Sequence, residues 1–151
     1  MIIMLNWVLP IIYVGYIVWR QWQPRLVTAS YKLDALILAI GLIIAGTAVQ
    51  NDWVNPNAAG WLIIGLIAVV SVVLLSIART LSEEMWVTDE GDVAHHATVG
   101  TVVFWIASIL LHVESDQLVT HSGAFSLLYL ALAAILQTKL TEWRASTKQT
   151  R

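Results

Sequence analysis

The chain contains no cysteine, which excludes disulfides, thiolate-bound iron–sulfur clusters and dithiol electron relays within the protein itself. Charge is also scarce, because 12% of its 151 residues are Asp, Glu, Lys or Arg, whereas soluble domains carry about 25%. Hydrophobic residues make up 58% of the sequence, and the mean hydropathy is +0.75. Little remains for a soluble domain once the apolar stretches are set aside. The composition predicts an integral membrane protein.

Sequence motifs for catalysis are also missing. There is no Gly-x-Ser-x-Gly, no His-Glu-x-x-His and no glycine-rich phosphate loop. Ser108 and His112, spaced i and i+4, come closest to a nucleophile and its base, but no third group is placed to orient them. The formal net charge of −2 and the scattered basic residues give no nucleic-acid signature. We predict a non-enzymatic protein with no catalytic, cofactor-binding or metal-binding residues and no nucleic-acid partner.

Five apolar stretches are the main positive feature. A membrane span needs about 20 apolar residues, with about 17 as the lower limit. We therefore predict one transmembrane domain over residues 1–151, an all-α bundle of five helices; the alternative is four spans plus a re-entrant fourth stretch. The first stretch has no preceding charge and is followed by Arg20, so we interpret it as a retained span and not a signal peptide. The predicted spans are about 2–19, 33–49, 59–78, 98–113 and 123–138.

The basic residues predict the orientation of this bundle. All eight Lys and Arg residues fall in the first loop, the third loop and the C-terminal tail, which lie on one side of a five-span topology. Because cytoplasmic loops are enriched in Lys and Arg, the tail should be cytoplasmic and the N-terminus outside. Trp19, Trp22 and Trp143 then fall at the cytoplasmic interface, and Trp53 and Trp61 at the outer one.

Ionisable residues are absent from the middle of every predicted span, which lowers the odds of a proton-coupled transporter or pump. The function that this favours is an accessory or regulatory subunit of a membrane complex, with the lipid bilayer and a membrane protein as partners. The alternative is a small-molecule transporter or channel component. A transporter would need a water-accessible cavity lined by polar residues within the spans: Ser71, Ser76, Thr101 and Ser108.

The third loop, residues 79–97, is longer than the 2 to 8 residues that commonly join two helices. Residues 85–88 and 93–95 flank an acidic turn, which predicts a short cytoplasmic hairpin with Gly91 at a positive φ angle. A lone hairpin is marginal in water, so Trp86 should rest on the bilayer, a helix or a partner. We predict a partner-binding face made of residues from the first and third loops: Arg20, Arg25, Arg79, Trp86 and Gly91.

Two histidine groups have the right side chains for metal binding. His95 and His96 should point to opposite faces of a strand, which favours a solvated loop end over a shared metal ion. The outer ends of the fourth and fifth spans carry a second group, whose spacing matches no named motif and favours an ordinary polar turn. Its members are His112, Glu114, Asp116 and His121.

Two short patterns resemble a known family. Arg20-Gln21-x-x-Pro24-Arg25 follows the first span, and Ala78-Arg79 ends the third, with Trp86 and Gly91 before the fourth. This arrangement resembles the CcdC-like group of small, largely uncharacterised bacterial membrane proteins. The resemblance implies a multi-pass protein of the bacterial cytoplasmic (inner) membrane with no established enzyme activity. The chain has no Cys-x-x-Cys-His haem site, which argues against a direct role in cytochrome chemistry.

Overall fold

The computed structural model describes residues 2–27 and 30–149, with side chains described for residues 7–27 and 30–148. The described residues form five helices and a small three-stranded sheet. Arg151, which the sequence assigns to the cytoplasmic tail, lies outside the described residues. The helices are α1, Ile2–Trp22; α2, Lys32–Gln50; α3, Ala58–Ser82; α4, Val99–Leu118; and α5, Ser126–Gln149, which a 3₁₀ turn, Ser122–Phe125, precedes.

Four of these helices, α2 to α5, are long and apolar enough to cross a membrane. α1 has 21 residues, but the side chains of residues 2–6 lie outside the described set, so a fifth span stays a prediction. α5 is the central helix, because 56% of its apolar window is buried inside the bundle, against 17–28% for α2 to α4. The main apolar core joins α5 to α1 and α4 around Leu130, Tyr13 and Trp105.

The strands bring the end of α1 next to the connection between α3 and α4. β2, Glu84–Val87, and β3, Val93–His96, are antiparallel neighbours, and Gly91 in their connection has a φ of +88°. A third strand, β1, Arg25–Leu26, pairs with the other edge of β3. The hairpin is thus part of a three-stranded sheet, and Met85 and Val93 pack on Ala145 of α5, which supplies the apolar burial that an isolated hairpin lacks.

Two helices continue beyond their predicted ends. α4 extends to Leu118, so Glu114 and Asp116 are helical and not in a loop. α5 extends to Gln149, and its last turns pack on the sheet instead of forming a free tail. We call this end of the bundle the sheet end; it also holds the C-terminal ends of α1 and α3 and the N-terminal end of α2.

A π-helical segment, Val69–Leu74, interrupts α3. A π-helix closes i to i+5 hydrogen bonds, so it changes the phase of the residues that follow it. The buried positions are accordingly spaced by five residues from Ser71 to Ser76, and the buried face then continues through Arg79, Thr80 and Glu83. On the opposite face Ile77 and Leu81 are exposed. The end of α3 thus turns its polar side toward the bundle and its apolar side outward.

Candidate functional site

Arg79 lies inside the bundle with 0% of its surface exposed. Its Nη1 donates a hydrogen bond of 2.7 Å to Ser108 Oγ of α4, and its Nη2 donates one of 2.8 Å to Ser76 Oγ. Its Cζ lies 3.9 Å from the ring centroid of Trp105, so the guanidinium also makes a cation–π contact. A buried charge is costly unless partners replace its water, and these three contacts serve as partners.

Glu83 follows Arg79 by one helical turn and is also buried, at 4% exposed. Its carboxylate accepts hydrogen bonds from Gln137 Nε2 and, at 2.9 Å, from Thr141 Oγ1, both on α5. His95 Nδ1 of β3 lies 3.4 Å from Glu83 Oε2, within ion-pair distance. Arg79 near the end of α3 and Glu83 directly after it are therefore buried on the same side. α5 and the sheet enclose Glu83.

Gln21 and Gln137 connect these two charged residues. Gln21 Oε1 of α1 accepts hydrogen bonds from Trp105 Nε1 at 3.3 Å and from Gln137 Nε2 at 3.2 Å. Since Gln137 also donates to Glu83, and Trp105 lies under Arg79, a continuous path of polar contacts links four helices with β3. We call this set the buried polar network: Gln21, Ser76, Arg79, Glu83, His95, Trp105, Ser108, Gln137 and Thr141.

A cavity of about 10 Å³ lies within the network, beside Gln21, Glu83 and His95. This volume has room for about one water molecule. Gln137 Oε1 and His95 Nδ1 are buried polar atoms without a hydrogen-bond partner among the described residues. The arrangement can hold opposite charges and join the helices to the sheet. The Ser108 hydroxyl is engaged by Arg79 Nη1 and by Phe104 O.

The position of Arg79 corrects the expectation that it belongs to a loop and lies on a partner-binding face. In the sequence, Arg79 follows the end of the third predicted span, a position from which its charge would reach the membrane interface. Instead, Ser76 and Ser108 offer hydroxyl groups at the right distance inside the bundle, and the π-helical segment turns Arg79 toward them. Its guanidinium is not available to a partner at the surface.

The other predicted face residues do not form one surface. Cross-strand neighbours lie on the same face of a sheet, so Arg25, which is opposite His95, shares the inner face with Met85. Trp86 is opposite Ala94 on the outer face and is 38% exposed. Gly91 is exposed at the hairpin turn. The structure therefore separates Arg25 from Trp86.

Arg20 lies in the last turn of α1 and is partly exposed. Its neighbour Arg25 is half-buried. Burial, and secondarily the charge of Arg20, lowers the pKa of Arg25 from its usual value.

The predicted histidine groups are also separated. His95 is 5% exposed and points to Glu83, whereas His96 lies 3.6 Å from Glu84 on the more open face. The expected solvated loop end is therefore corrected for His95, because the inner face of β3 packs on the bundle. Within residues 2–27 and 30–149, no three His, Asp or Glu side chains come together as a metal site.

The second group lies around the opposite end of the bundle. His112 is 2% exposed and stacks on Tyr129, with 5.4 Å between the ring centroids. Asp116 Oδ1 accepts a hydrogen bond of 2.8 Å from Gly123 N–H, which holds the turn before α5. His121 lies in that turn at a φ of +64°. The group is therefore split between a buried aromatic stack and a turn.

Sequence reasoning missed Glu83 and Gln21 as members of an internal site. A signal was present: Ser76, Arg79, Thr80 and Glu83 follow the i, i+3, i+4, i+7 pattern of one helix face. In a membrane helix a polar face of this kind is turned inward, toward protein. Ending the third span at residue 78 concealed the pattern.

Comparisons with family models, with curated proteins and with solved structures find no match to this chain. The resemblance to the CcdC-like group therefore stays a hypothesis based on the residues quoted above.

Proposed function

We propose that this protein is a non-enzymatic accessory or regulatory subunit of a membrane complex, and that its outer sheet face binds a membrane-protein partner. The observation that carries the proposal is a row of apolar residues across the three strands. Leu26, Ala94 and Trp86 are register neighbours on the outer face. Leu26 is 45% exposed and Trp86 38% exposed, although the other face of the same sheet is packed on α5.

This face is rigidly held, which suits a recognition surface. Lys148 Nζ donates a hydrogen bond of 2.7 Å to Met85 O, and Arg144 Nη1 donates one to Thr80 O just before β2. The Trp86 ring makes an edge-to-face contact with His96, at 5.5 Å between centroids. A preorganised aromatic side chain loses less conformational freedom on binding, and aromatic residues are enriched at the energetic centres of interfaces.

The buried polar residues support the accessory role over the transporter alternative. Ser76, Thr101 and Ser108 are each 0% exposed and hydrogen-bonded within the bundle. Ser71 is 1% exposed, and its hydroxyl has no partner among the described residues. Side chains that lined a path for solute would be expected to contact water instead.

We further propose that the protein lies in the bacterial cytoplasmic membrane with its sheet end in the cytoplasm. The seven described Lys and Arg residues all lie at or near the sheet end: Arg20, Arg25, Lys32, Arg79, Lys139, Arg144 and Lys148. Cytoplasmic segments are enriched in these residues.

Site-specific photo-crosslinking in native membranes tests the partner proposal. A photoreactive amino acid at Glu84, whose side chain is 69% exposed on the outer face two residues before Trp86, should give a discrete protein adduct. Trp86→Ala should reduce the yield of that adduct. The control probe is Leu62 on α3, which is 65% exposed and far along the chain from the sheet. Adducts with lipid alone at Glu84, or equal protein adducts at both positions, would count against the proposal.

A further inference from the structure

A groove between α1, α2 and the start of α5 lies open on the side of the bundle. It has a volume of about 190 Å³, and its surface is entirely apolar. Ile12 at its edge is 62% exposed, whereas Leu127 at its floor is 3% exposed. The residues used in this argument are Leu9, Ile12 and Tyr16 of α1, Ile37 and Ile40 of α2, and Leu127. In a bilayer such a groove faces hydrocarbon.

The groove leads to a basic region at the sheet end. Leu9, Ile12 and Tyr16 follow one face of α1, and the next residue on that face is Arg20, four positions after Tyr16. Lys32, which begins α2 and is exposed, directly precedes the groove residue Leu33, so α1 and α2 each place a basic residue at this end of the groove. Neither Arg20 nor Lys32 has a carboxylate within ion-pair distance in the described part of the chain.

The acidic groups nearby do not neutralise this pair. Asp34 at the start of α2 is 3% exposed, and its Oδ1 already accepts a hydrogen bond of 2.8 Å from Tyr13. Glu83 is held by α5 side chains inside the buried polar network. Two basic residues without a carboxylate partner at the end of an apolar groove, Arg20 and Lys32, complement an anion with an attached hydrocarbon chain.

We propose that this groove binds one acyl chain of an anionic phospholipid, with the lipid phosphate between Arg20 and Lys32. Guanidinium groups bind phosphate oxygens through paired, charge-assisted hydrogen bonds. Trp19 and Trp22 are 61% and 51% exposed next to Arg20, and exposed tryptophans mark the headgroup level of a bilayer. The inference goes beyond the proposed partner binding, because the lipid site lies apart from the outer sheet face.

Native mass spectrometry of the purified full-length protein, titrated with phosphatidylglycerol or phosphatidylcholine, tests this proposal. One phosphatidylglycerol should bind more tightly than phosphatidylcholine. The double variant Arg20→Gln/Lys32→Gln should weaken phosphatidylglycerol binding by about tenfold or more, because it removes charge-assisted hydrogen bonds. Lys148→Gln removes one charge at the same end, from a lysine that donates to Met85 O, and should have little effect.

A matched pair on α2 tests the acyl-chain part of the site. Ile37→Trp fills the groove and should weaken binding, whereas Ile43→Trp, at an outward position that is 68% exposed, should not. The two tryptophan variants still test the proposal if the Arg20→Gln/Lys32→Gln variant fails to fold. Glycerol 1-phosphate, which has the headgroup phosphate and no chains, should not displace the lipid. Displacement by glycerol 1-phosphate, equal binding of both lipids, or equal effects of the two tryptophan variants would overturn the proposal.

Discussion

The guanidinium of Arg79 lies over the ring of Trp105, with 3.9 Å between Cζ and the ring centroid. Both side chains are 0% exposed, so the cation and the ring meet without water. A desolvated cation–π contact stabilises by about 2 kcal/mol or more. Because Trp105 also donates to Gln21, the contact joins the end of α3 to α4 and α1. Arg79 is thus part of the interior packing.

Removal of Arg79 should strongly destabilise the bundle. Arg79→Ala removes two buried hydrogen bonds from a charged donor, each of which contributes about 1.5–3 kcal/mol, and the cation–π contact with Trp105. Chemical unfolding in detergent, followed by circular dichroism, measures the change in the free energy of unfolding. A loss below about 1 kcal/mol would show that the charge is not needed for folding.

A double-variant cycle separates the charge balance from the packing. If the two charges stabilise each other, Arg79→Met with Glu83→Gln should cost less than the sum of the single changes. Arg79→Met keeps much of the side-chain volume while it removes the charge. Strict additivity in the same unfolding assay would mean that Arg79 and Glu83 act independently.

Gly41 should be required for the close approach of α2 and α5. A Cβ at Gly41 would lie 2.7 Å from the Leu128 backbone nitrogen and 2.8 Å from its Cα, and backbone atoms cannot move aside cheaply. Gly41→Ala should therefore lower the free energy of unfolding by about 1–3 kcal/mol, less the gain of up to about 1 kcal/mol from helix propensity.

Gly46 provides the matched control on the same helix. No atom lies within 4 Å of a Cβ built there, so Gly46→Ala should be neutral or slightly stabilising. Thermal unfolding of the two variants in one detergent compares them directly. Equal melting temperatures would contradict the close contact between α2 and Leu128.

The apolar stretches predicted the helices well where hydropathy alone determines their ends. The second predicted span, 33–49, differs by one residue at each end from Lys32–Gln50, because polar residues flank the apolar run. The third span was ended too early, since Arg79 and Glu83 look like loop charges until α4, α5 and β3 supply their partners. Those partners come from distant parts of the chain, so local sequence could not identify them.

Two further features could not be read from local sequence. The π-helical segment, Val69–Leu74, is apolar except for Ser71, and nothing in its composition distinguishes it from an ordinary helix. The strand Arg25–Leu26 has two residues and forms because β3 offers it an edge. The hairpin was easier to predict from the sequence, because Gly91 lies between two runs of residues that favour strands.

Reporter fusions test the orientation. Alkaline phosphatase fused after Arg151 should be inactive, and a cytoplasmic reporter at the same position should be active, because the basic residues favour a cytoplasmic sheet end. The matched fusion after Asn55, in the connection between α2 and α3, should show the opposite pattern. Active phosphatase at residue 151 would reverse the proposed topology.

Met85 and Trp86 are adjacent on β2 and should differ in the effect of replacement by alanine. Met85 is 9% exposed and packs with Val93 and Ala145, so Met85→Ala should loosen the sheet and increase its cleavage by protease. Truncation of a buried Met costs about 2–5 kcal/mol. Trp86 is on the outer face, so Trp86→Ala should leave membrane insertion and protease resistance largely intact while it lowers the crosslinking yield at Glu84. Limited proteolysis in proteoliposomes and crosslinking in native membranes measure the two effects. If Trp86→Ala increases cleavage as much as Met85→Ala and leaves crosslinking unchanged, Trp86 serves the docking of the sheet and not a partner.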